Sequence, residues 1–314
     1  MAKFRRGHGG ETKRGGKPKL MSRSIILILF LLGFLLAIIV FANKKYFSKK
    51  PVIAVNEDIF IPLNSTSEIL PEERFFLPGS TTGEIVHHRY FSLSYNEKYE
   101  QSEWVSYMLS RESLKIENVK RHDRFDPDLK IGSRSAIYFD YSGSGYTRGH
   151  LAPAADMAFN EVAMKESFLM SNISPQKKEF NNGIWNELEE HTRNWAWKND
   201  RVFIVTGPVL NKEITRFIGK NRVGVPDLFF KIILDADDPE RKAIGFILPN
   251  ELSTEPLSKY AVSIDSIEAL TGIDFFPDFF TPGEQVKLES GFDLSLWDFN
   301  PVLYKKRIEV WNNQ

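Results

Sequence analysis

Residues 25–42 form the apolar run IILILFLLGFLLAIIVFA, which contains no charged side chain. Its 18 residues would extend about 27 Å as a helix, close to the thickness of the hydrocarbon core of a bilayer. A soluble helix would keep a polar face. A cleavable signal peptide is the closer alternative, but its apolar region is shorter and ends in an A-x-A-like site, which residues 40–44 lack. The run therefore predicts an uncleaved transmembrane anchor.

Charge differs on the two sides of this run. Residues 1–24 contain eight Lys or Arg, whereas residues 43–50 contain four. The positive-inside bias predicts that 1–24 is a basic cytoplasmic tail and that the rest of the chain lies outside the cytoplasm, in the periplasm or another extracytoplasmic space. Beyond residue 50 the chain has 29 basic and 40 acidic residues, a net charge of −11, and no cysteine. This balance disfavours functions that need a broad basic surface, and the exported part would have no disulfide.

The remaining sequence predicts a linker at 43–84, rich in Pro, Asn and Ser, and a folded domain at 85–310. Hydrophobic spacing and turn residues predict the following elements: a strand at 85–94, a helix at 99–110, a strand at 135–141, a helix at 181–199, a strand at 201–210, a hairpin at 227–250 and a helix at 263–273. Strands and helices are mixed without regular βαβ alternation, so the predicted class is α+β.

Residues 142–157, SGSGYTRGHLAPAADM, carry the first motif. Its three glycines fit neither the dinucleotide pattern G-x-G-x-x-G nor a P-loop, which needs a following Lys. Ser142–Gly145 predicts a bend. Arg148 and His150 flank Gly149, so an extended strand would place both side chains on one face. A lone histidine is more often structural than catalytic, so a catalytic role for His150 depends on which other residues accompany it.

The second motif, SNISPQKKEFNNGIWNELEEHTR, occupies residues 171–193. Within it Asn181, Trp185, Glu189 and Arg193 recur every four residues, which predicts one shared helix face. A structural helix would make such a stripe apolar, whereas this one is mostly polar. A solvated face with a Glu189–Arg193 ion pair is the alternative interpretation.

Together the two motifs resemble those of the DNA/RNA non-specific endonuclease family, in the ββα-metal (His-Me finger) superfamily. The resemblance extends over residues 85–305. It implies an α+β domain with a ββα-metal finger and a central, mostly antiparallel sheet flanked by helices, preceded here by one transmembrane helix. It also implies a divalent-metal-dependent, sugar-non-specific nuclease that hydrolyses phosphodiester bonds of DNA and RNA.

The resemblance assigns roles to four positions. His150 would be the general base, and Asn181 the single protein ligand of Mg²⁺, with Mn²⁺ as a substitute. Glu189 would hold metal-bound water, and Asn172 would support the site. A neutral imidazole suits proton abstraction near pH 7, and Mg²⁺ held mainly by waters suits a site with few carboxylates.

Substrate contacts are expected from basic side chains. The resemblance implies an upstream arginine on the phosphate, for which Arg124 is favoured and Arg121 is the alternative. Arg148 could also hold a phosphate through paired hydrogen bonds. Arg193, Lys177 and Trp185 are expected to bind substrate. We expect a narrow basic groove built from these residues: Arg124, Arg148, Lys177, Lys178 and Arg193.

One position departs from the family pattern, because Thr147 stands where the motif usually begins with Asp. This leaves open the rate, the metal preference and whether cleavage is endo- or exonucleolytic. Two other functions remain: a phosphodiesterase or exonuclease acting on short oligonucleotides, and a catalytically retired nuclease fold that only binds. The oligomeric state is also open, with a homodimer among the alternatives.

Overall fold

The computed structural model describes residues 76–314, except 133–134, 211–212 and 279–280. The predicted anchor at 25–42, the basic tail and most of the linker lie outside these residues. Among the helices that are described, none combines the length and apolar character needed to cross a membrane. Phe76 is already buried, and the Thr81 amide donates to Glu103 Oε1 at 2.9 Å. The limits drawn for the linker and the domain stay predictions.

A seven-stranded sheet, in the order β1-β2-β3-β6-β9-β10-β11, forms the centre of the domain, and every neighbouring pair is antiparallel. Its strands are β1 Ile85–His87, β2 Ser92–Asn96, β3 Gln101–Ser110, β6 Arg201–Pro208, β9 Leu228–Asp235, β10 Lys242–Pro249 and β11 Ala261–Val262. Two small hairpins lie outside it, β4 Thr147–His150 with β5 Ile173–Gln176, and β7 Phe217–Ile218 with β8 Val223–Gly224.

Helices cover both faces of this sheet. They are α1 Arg111–Lys115, α2 Glu161–Ser167, α3 Lys178–Phe180, α4 Asn186–Lys198, α5 Ile264–Thr271, α6 Pro282–Glu289 and α7 Pro301–Glu309. A π-helical turn, Asn181–Trp185, joins α3 to α4. The structure thus has the predicted α+β class and central antiparallel sheet.

Alternation along the strands produces two cores. On β6, Val202 and Ile204 join one cluster, and Phe203 and Val205 join the other. The first cluster includes side chains of α4, and the second includes side chains of α5 and α6. A central strand buried on both faces is apolar along its length rather than alternating, as β6 is.

The predicted strand at 85–94 is divided into the antiparallel strands β1 and β2, and two other predicted elements are wrong. Residues 101–110 form strand β3 rather than a helix, and residues 138–141 form a 3₁₀ turn rather than a strand. β3 lies between β2 and β6 with nearly every residue buried, so Trp104 and Met108 match a helical spacing by coincidence. At 138–141, Asp140 Oδ2 accepts the Ile137 amide at 2.9 Å, which closes the chain into a turn.

Other predicted elements are confirmed. β9 and β10 form the hairpin around the polar turn at 236–241, with Asp235 opposite Lys242. Helix α5 begins after Ser263, whose hydroxyl accepts the Ser266 amide. It ends at Gly272, whose φ of 74° is in the left-handed region that glycine adopts without strain.

The hairpin β4–β5 and the helix that follows it form a ββα unit. Gly149 lies opposite Ser174 in the hairpin, and Arg148 lies opposite Pro175. Polar bonds fix this unit to the main sheet, because Ser174 Oγ donates to Gln101 Oε1 at 2.6 Å and Ser102 Oγ donates to the Ser171 carbonyl at 2.7 Å. The unit therefore places β4 and the start of the helix side by side.

Candidate active site

Strand β4 presents Arg148 and His150 to one cleft of about 400 Å³, as the alternation predicts. Gly149 points the other way, where a Cβ would lie only 2.0 Å from Gln176 Oε1. Any larger residue at 149 would have to displace the buried side chain of Gln176. The bend before β4 is also confirmed, with φ of 69° at Gly143 and 83° at Gly145.

His150 lies against two aromatic rings. The centroid of its imidazole is 4.8 Å from Phe168 and 5.6 Å from Phe125. Its Nε2 is covered and has no hydrogen-bond partner. Desolvation, together with the charge of Arg121, lowers the pKa of His150 to about 3. The imidazole is therefore neutral near pH 7, as a proton acceptor must be.

Asn172 supports the chain just after His150. Its Nδ2 donates to the carbonyls of Ala152 at 2.9 Å and Ser167 at 2.8 Å, and its Oδ1 accepts the Ala152 amide at 2.9 Å. Fully buried, Asn172 does not line the cleft. Its place is that of a positioning residue.

Asn181 lines the same cleft at the start of the helix. Its Nδ2 donates to Thr147 Oγ1 at 3.1 Å, and Thr147 Oγ1 donates to the Gln176 carbonyl at 2.9 Å. A hydroxyl has one proton. Since the carbonyl takes that proton, Thr147 can only accept from Asn181, and the amide must turn its nitrogen towards Thr147. Asn181 Oδ1, a hard oxygen ligand, is left for the cleft.

The π turn realigns the helix. In a continuous α-helix Asn181 and Glu189 would differ by about 80° in direction. The turn interrupts the helix, because Gly183 leaves helical dihedrals with φ of −93° and ψ of −110°, and this changes the direction of Asn181 relative to Glu189. Asn181, Glu189 and Arg193 accordingly all line the cleft. Trp185 does not, because it lies within the turn and points into the core, fully buried against Phe180 and Phe229. The prediction that Trp185 binds substrate is therefore wrong.

A buried lysine stands behind Glu189. Lys231 lies on β9 with no exposed surface, and its Nζ is 4.8 Å from the centre of the Trp185 ring. Burial raises the pKa of Glu189, while the charges of Lys231 and Arg193 oppose that shift. Burial lowers the pKa of Lys231, and Glu189 opposes it. Each group is thus the other's counter-charge beneath the cleft.

Arg193 is engaged by acids other than Glu189. Its Nη1 donates to Asp156 Oδ1 at 2.7 Å, and its Nη2 lies 3.1 Å from Glu190 Oε1. Tyr107 donates to the second oxygen of Asp156 at 2.7 Å. Arg193 reaches the cleft, but its guanidinium already holds two carboxylates. The ion pairs of Arg193 are therefore with Asp156 and Glu190, not with Glu189 as in the alternative interpretation of this helix face, and its role as a substrate ligand stays a prediction.

The basic groove is smaller than the sequence predicts. Arg121 lines the cleft and stacks 5.0 Å from the Phe168 ring, whereas Arg124 is exposed outside it and pairs with Asp126 at 2.7 Å. Of the two alternatives the structure thus favours Arg121. Lys177 and Lys178 do not line the cleft either. They precede the turn that carries Asn181, and the Lys177 amide donates to Asn250 Oδ1.

Arg148 rests on aromatic side chains. Its guanidinium carbon is 4.2 Å from the centre of the Tyr138 ring and 5.2 Å from that of Phe125. Phe139, which is 75% exposed, packs edge-on against Tyr138. These rings hold Arg148 at the cleft.

Two buried residues of the site escape sequence reasoning. Asp156 is the only acidic residue in LAPAADM. Lys231 and the terminal Asp235 are the charged residues of the otherwise apolar strand LFFKIILD. A lysine in a strand buried on both faces is itself a signal, since lysine is almost never fully buried without a partner. The sequence does not indicate which residues Asp156 and Lys231 pair with.

Known proteins with similar sequences are nucleases. The family model for DNA/RNA non-specific endonucleases matches residues 73–281. The mitochondrial nuclease EXOG of Mus musculus is 34% identical over 233 residues, which cover 69% of this chain and 62% of that protein. Mitochondrial endonuclease G of Homo sapiens is 32% identical over 218 residues, which cover 65% of this chain and 73% of that protein.

The fold is similar to a solved nuclease complex as well. The crystal structure of the EndoG/EndoGI complex, which concerns EndoG inhibition, aligns with a TM-score of 0.60 and 29% identity over 66% of this chain and 91% of that chain. The chain spans less than two thirds of the length of the four EXOG relatives, between 60% and 64%. Because the family model matches well over half of its residues, the chain belongs to the DNA/RNA non-specific endonuclease family.

Proposed function

We propose that this chain is a divalent-metal-dependent nuclease that hydrolyses phosphodiester bonds in DNA and RNA. The observation that carries the proposal is the convergence of His150, Asn181 and Glu189 on one cleft, with the Asn181 amide fixed by Thr147. A neutral imidazole, an oriented amide oxygen and a carboxylate are the groups that metal-assisted phosphodiester hydrolysis needs.

The residues of the cleft fit a hard divalent cation. Asn181 Oδ1 would hold it directly, and Glu189 would hold its water ligands. One protein oxygen beside one carboxylate suits Mg²⁺, which keeps several waters, and Mn²⁺ could replace it. When bound, the cation supplies positive charge to the phosphate and to the leaving oxygen.

In this proposal the protein positions the substrate and moves one proton. His150 Nδ1 accepts the proton of the attacking water, since Nε2 is covered by the surrounding side chains. Arg148 and Arg121 hold the phosphate, with donors fixed by their aromatic supports. Asn172 keeps the backbone after His150 in place.

The test is digestion of plasmid DNA and of RNA by the full chain. We expect cutting with Mg²⁺, none with EDTA, and at least a 100-fold loss for His150→Ala and for Asn181→Ala. His122→Ala is the matched histidine control, since His122 contacts the same Phe168 ring from outside the cleft. Asn199→Ala, at the far end of the same helix and outside the cleft, is the control for Asn181. Undiminished cutting by His150→Ala or in EDTA would refute the proposal.

We further propose that residues 25–42 anchor the chain in a membrane with the nuclease domain outside the cytoplasm. The apolar run and the charge difference across it support this. The full chain should stay in the membrane fraction after alkaline carbonate, and protease added outside the cytoplasmic membrane should degrade residues 76–314. Release by carbonate, or protection from protease, would contradict the anchor or its orientation.

A further inference from the structure

Three carboxylates meet on the sheet face opposite the cleft. Asp265, Glu268 and Glu289 each bring one oxygen within 4.8 Å of the others. Asp265 and Glu268 are three residues apart on α5, so they share one side of that helix. Glu289 is the last residue of α6. The cluster therefore joins two helices that are separated in sequence.

Glu289 is the member that most needs a counter-charge. It is 5% exposed, and its Oε1 has no hydrogen-bond partner. Gln285 hydrogen-bonds to this carboxylate, but a buried carboxylate oxygen without a partner is still costly. The end of a helix, where carbonyls concentrate negative potential, adds to that cost.

Among the described residues, the arginine that contacts α6 does not supply this counter-charge. Arg241, which reaches α6, pairs with Glu284 and Asp238 instead. Asp274 adds a further negative charge close enough to act on both Glu268 and Glu289. The group thus concentrates negative charge around one buried oxygen.

The spacing and donor type suit calcium. Ca²⁺ takes six to eight oxygen ligands at about 2.3–2.6 Å, so two ligands on opposite sides lie up to about 5 Å apart. Mg²⁺ is smaller and usually takes one or two carboxylates. Glu268 Oε1 already accepts the Phe275 amide at 2.8 Å, which orients that carboxylate. Asp265 is exposed and leaves room for water ligands.

We propose that Asp265, Glu268 and Glu289 form a calcium-binding site that joins α5 to α6, separate from the catalytic cation. The bound ion neutralises the buried carboxylate and fixes the layer of helices that covers this face of the sheet. Its affinity is in the range of extracellular modules, with a Kd of about 0.1–1 mM, because the site is partly open and two of its acids remain solvated.

The experiment measures the Tm of the full chain, purified in mild detergent, with and without 10 mM Ca²⁺. All variants carry Asn181→Ala, so that the catalytic cleft does not contribute. We expect Ca²⁺ to raise the Tm of this parent by about 3–10 °C. Glu289→Gln and Asp265→Asn should lose the rise, and Glu251→Gln, which removes an exposed acid outside the cluster, should keep it.

The Tm without Ca²⁺ distinguishes a lost site from a damaged fold. Glu289→Gln should then melt at the same temperature as the parent or higher, because it removes repulsion among the carboxylates. Isothermal titration of the parent should show one Ca²⁺ that Mg²⁺ at equal concentration does not displace. An unchanged Tm of the parent in Ca²⁺, or an equal rise in Glu289→Gln, would overturn the site.

Discussion

Thr147 stands where the family motif usually has aspartate, and its hydroxyl does two things at once. It donates to the Gln176 carbonyl and accepts from Asn181 Nδ2. An aspartate could accept from Asn181 but could not donate to a carbonyl unless it were protonated. The residue therefore retains the orientation of the proposed metal ligand without placing a further charge beside it.

Thr147→Val should separate this role from simple packing. Valine has nearly the same shape and cannot hold the amide, so we expect kcat to fall about 10- to 100-fold and the Mg²⁺ concentration for half activity to rise. Thr147→Ser keeps the hydroxyl and should recover most of the activity. Equal activity of the valine and serine variants would show that the hydroxyl does not position Asn181.

His150 should affect stability in the direction opposite to its effect on catalysis. Its pKa is lowered from 6.5 to about 3 by burial and by Arg121. Between these values the unfolded chain binds a proton that the folded chain does not, so this residue makes stability fall as pH falls below about 6.5. His150→Asn removes the penalty.

The measurement is the free energy of urea unfolding at pH 7.5 and pH 5. Relative to the parent chain, His150→Asn should gain about 1–2 kcal/mol on going from pH 7.5 to pH 5, while its cleavage activity is lost at both. The pH 7.5 value serves as the control for packing. A difference that does not change with pH would mean that the imidazole is not held neutral.

A buried ion pair joins α7 to α4, the helix of the ββα unit. Arg307 has no exposed surface and donates to Glu187 Oε2 at 2.5 Å. Its other nitrogens donate to the carbonyls of Ser253 and Glu255. The short turn after α7 contributes Trp311 and Gln314 to the wall of the cleft, so this pair holds one wall in place.

Arg307→Ala should destabilise the domain by about 3–5 kcal/mol, because it leaves Glu187 buried and unpaired. The double variant Glu187→Gln/Arg307→Met removes both charges and should recover at least half of that loss. Urea unfolding measures both. A single variant that costs less than about 1 kcal/mol would show that the pair does not hold α7.

Sequence patterns predict some of these elements and miss others. The face shared by Arg148 and His150 follows from strand alternation alone, and Ser263 and Gly272 mark both ends of α5. The sequence of β3 resembles a helix, because a strand buried on both faces lacks the alternation of apolar and polar residues that identifies a strand. The Asp156–Arg193 pair joins residues that are 37 positions apart, so no local pattern predicts it. The π turn depends on helix geometry that the spacing of apolar residues does not reveal.

The basic cleft is small, and the rest of the protein beyond the N-terminal segment is acidic. The chain beyond residue 50 has a net charge of −11. Within the cleft Arg121 and Arg148 remain for phosphate, since Arg193 is held by Asp156 and Glu190. Affinity for nucleic acid should thus rest on few contacts and respond strongly to salt.

With two to three phosphates contacted, kcat/KM on plasmid DNA should fall about 10- to 40-fold between 50 and 200 mM salt. Arg121→Gln should reduce the slope of log kcat/KM against log salt by about 1. Arg124→Gln is the matched control, and its slope should equal that of the parent because Arg124 lies outside the cleft. Equal slopes for both variants would remove Arg121 from the phosphate site.

Phe168 is shared by two groups with different tasks, because His150 and Arg121 both pack on its ring. His150 lies on β4 of the ββα unit, whereas Arg121 lies in the irregular connection after α1. That connection is joined to the segment before β5 by the Asp126–Leu169 bridge and by backbone hydrogen bonds of Asp126 with Phe168 and Met170. In the proposed nuclease, a change at Phe168 should therefore disturb the proton acceptor and a phosphate-binding side chain together.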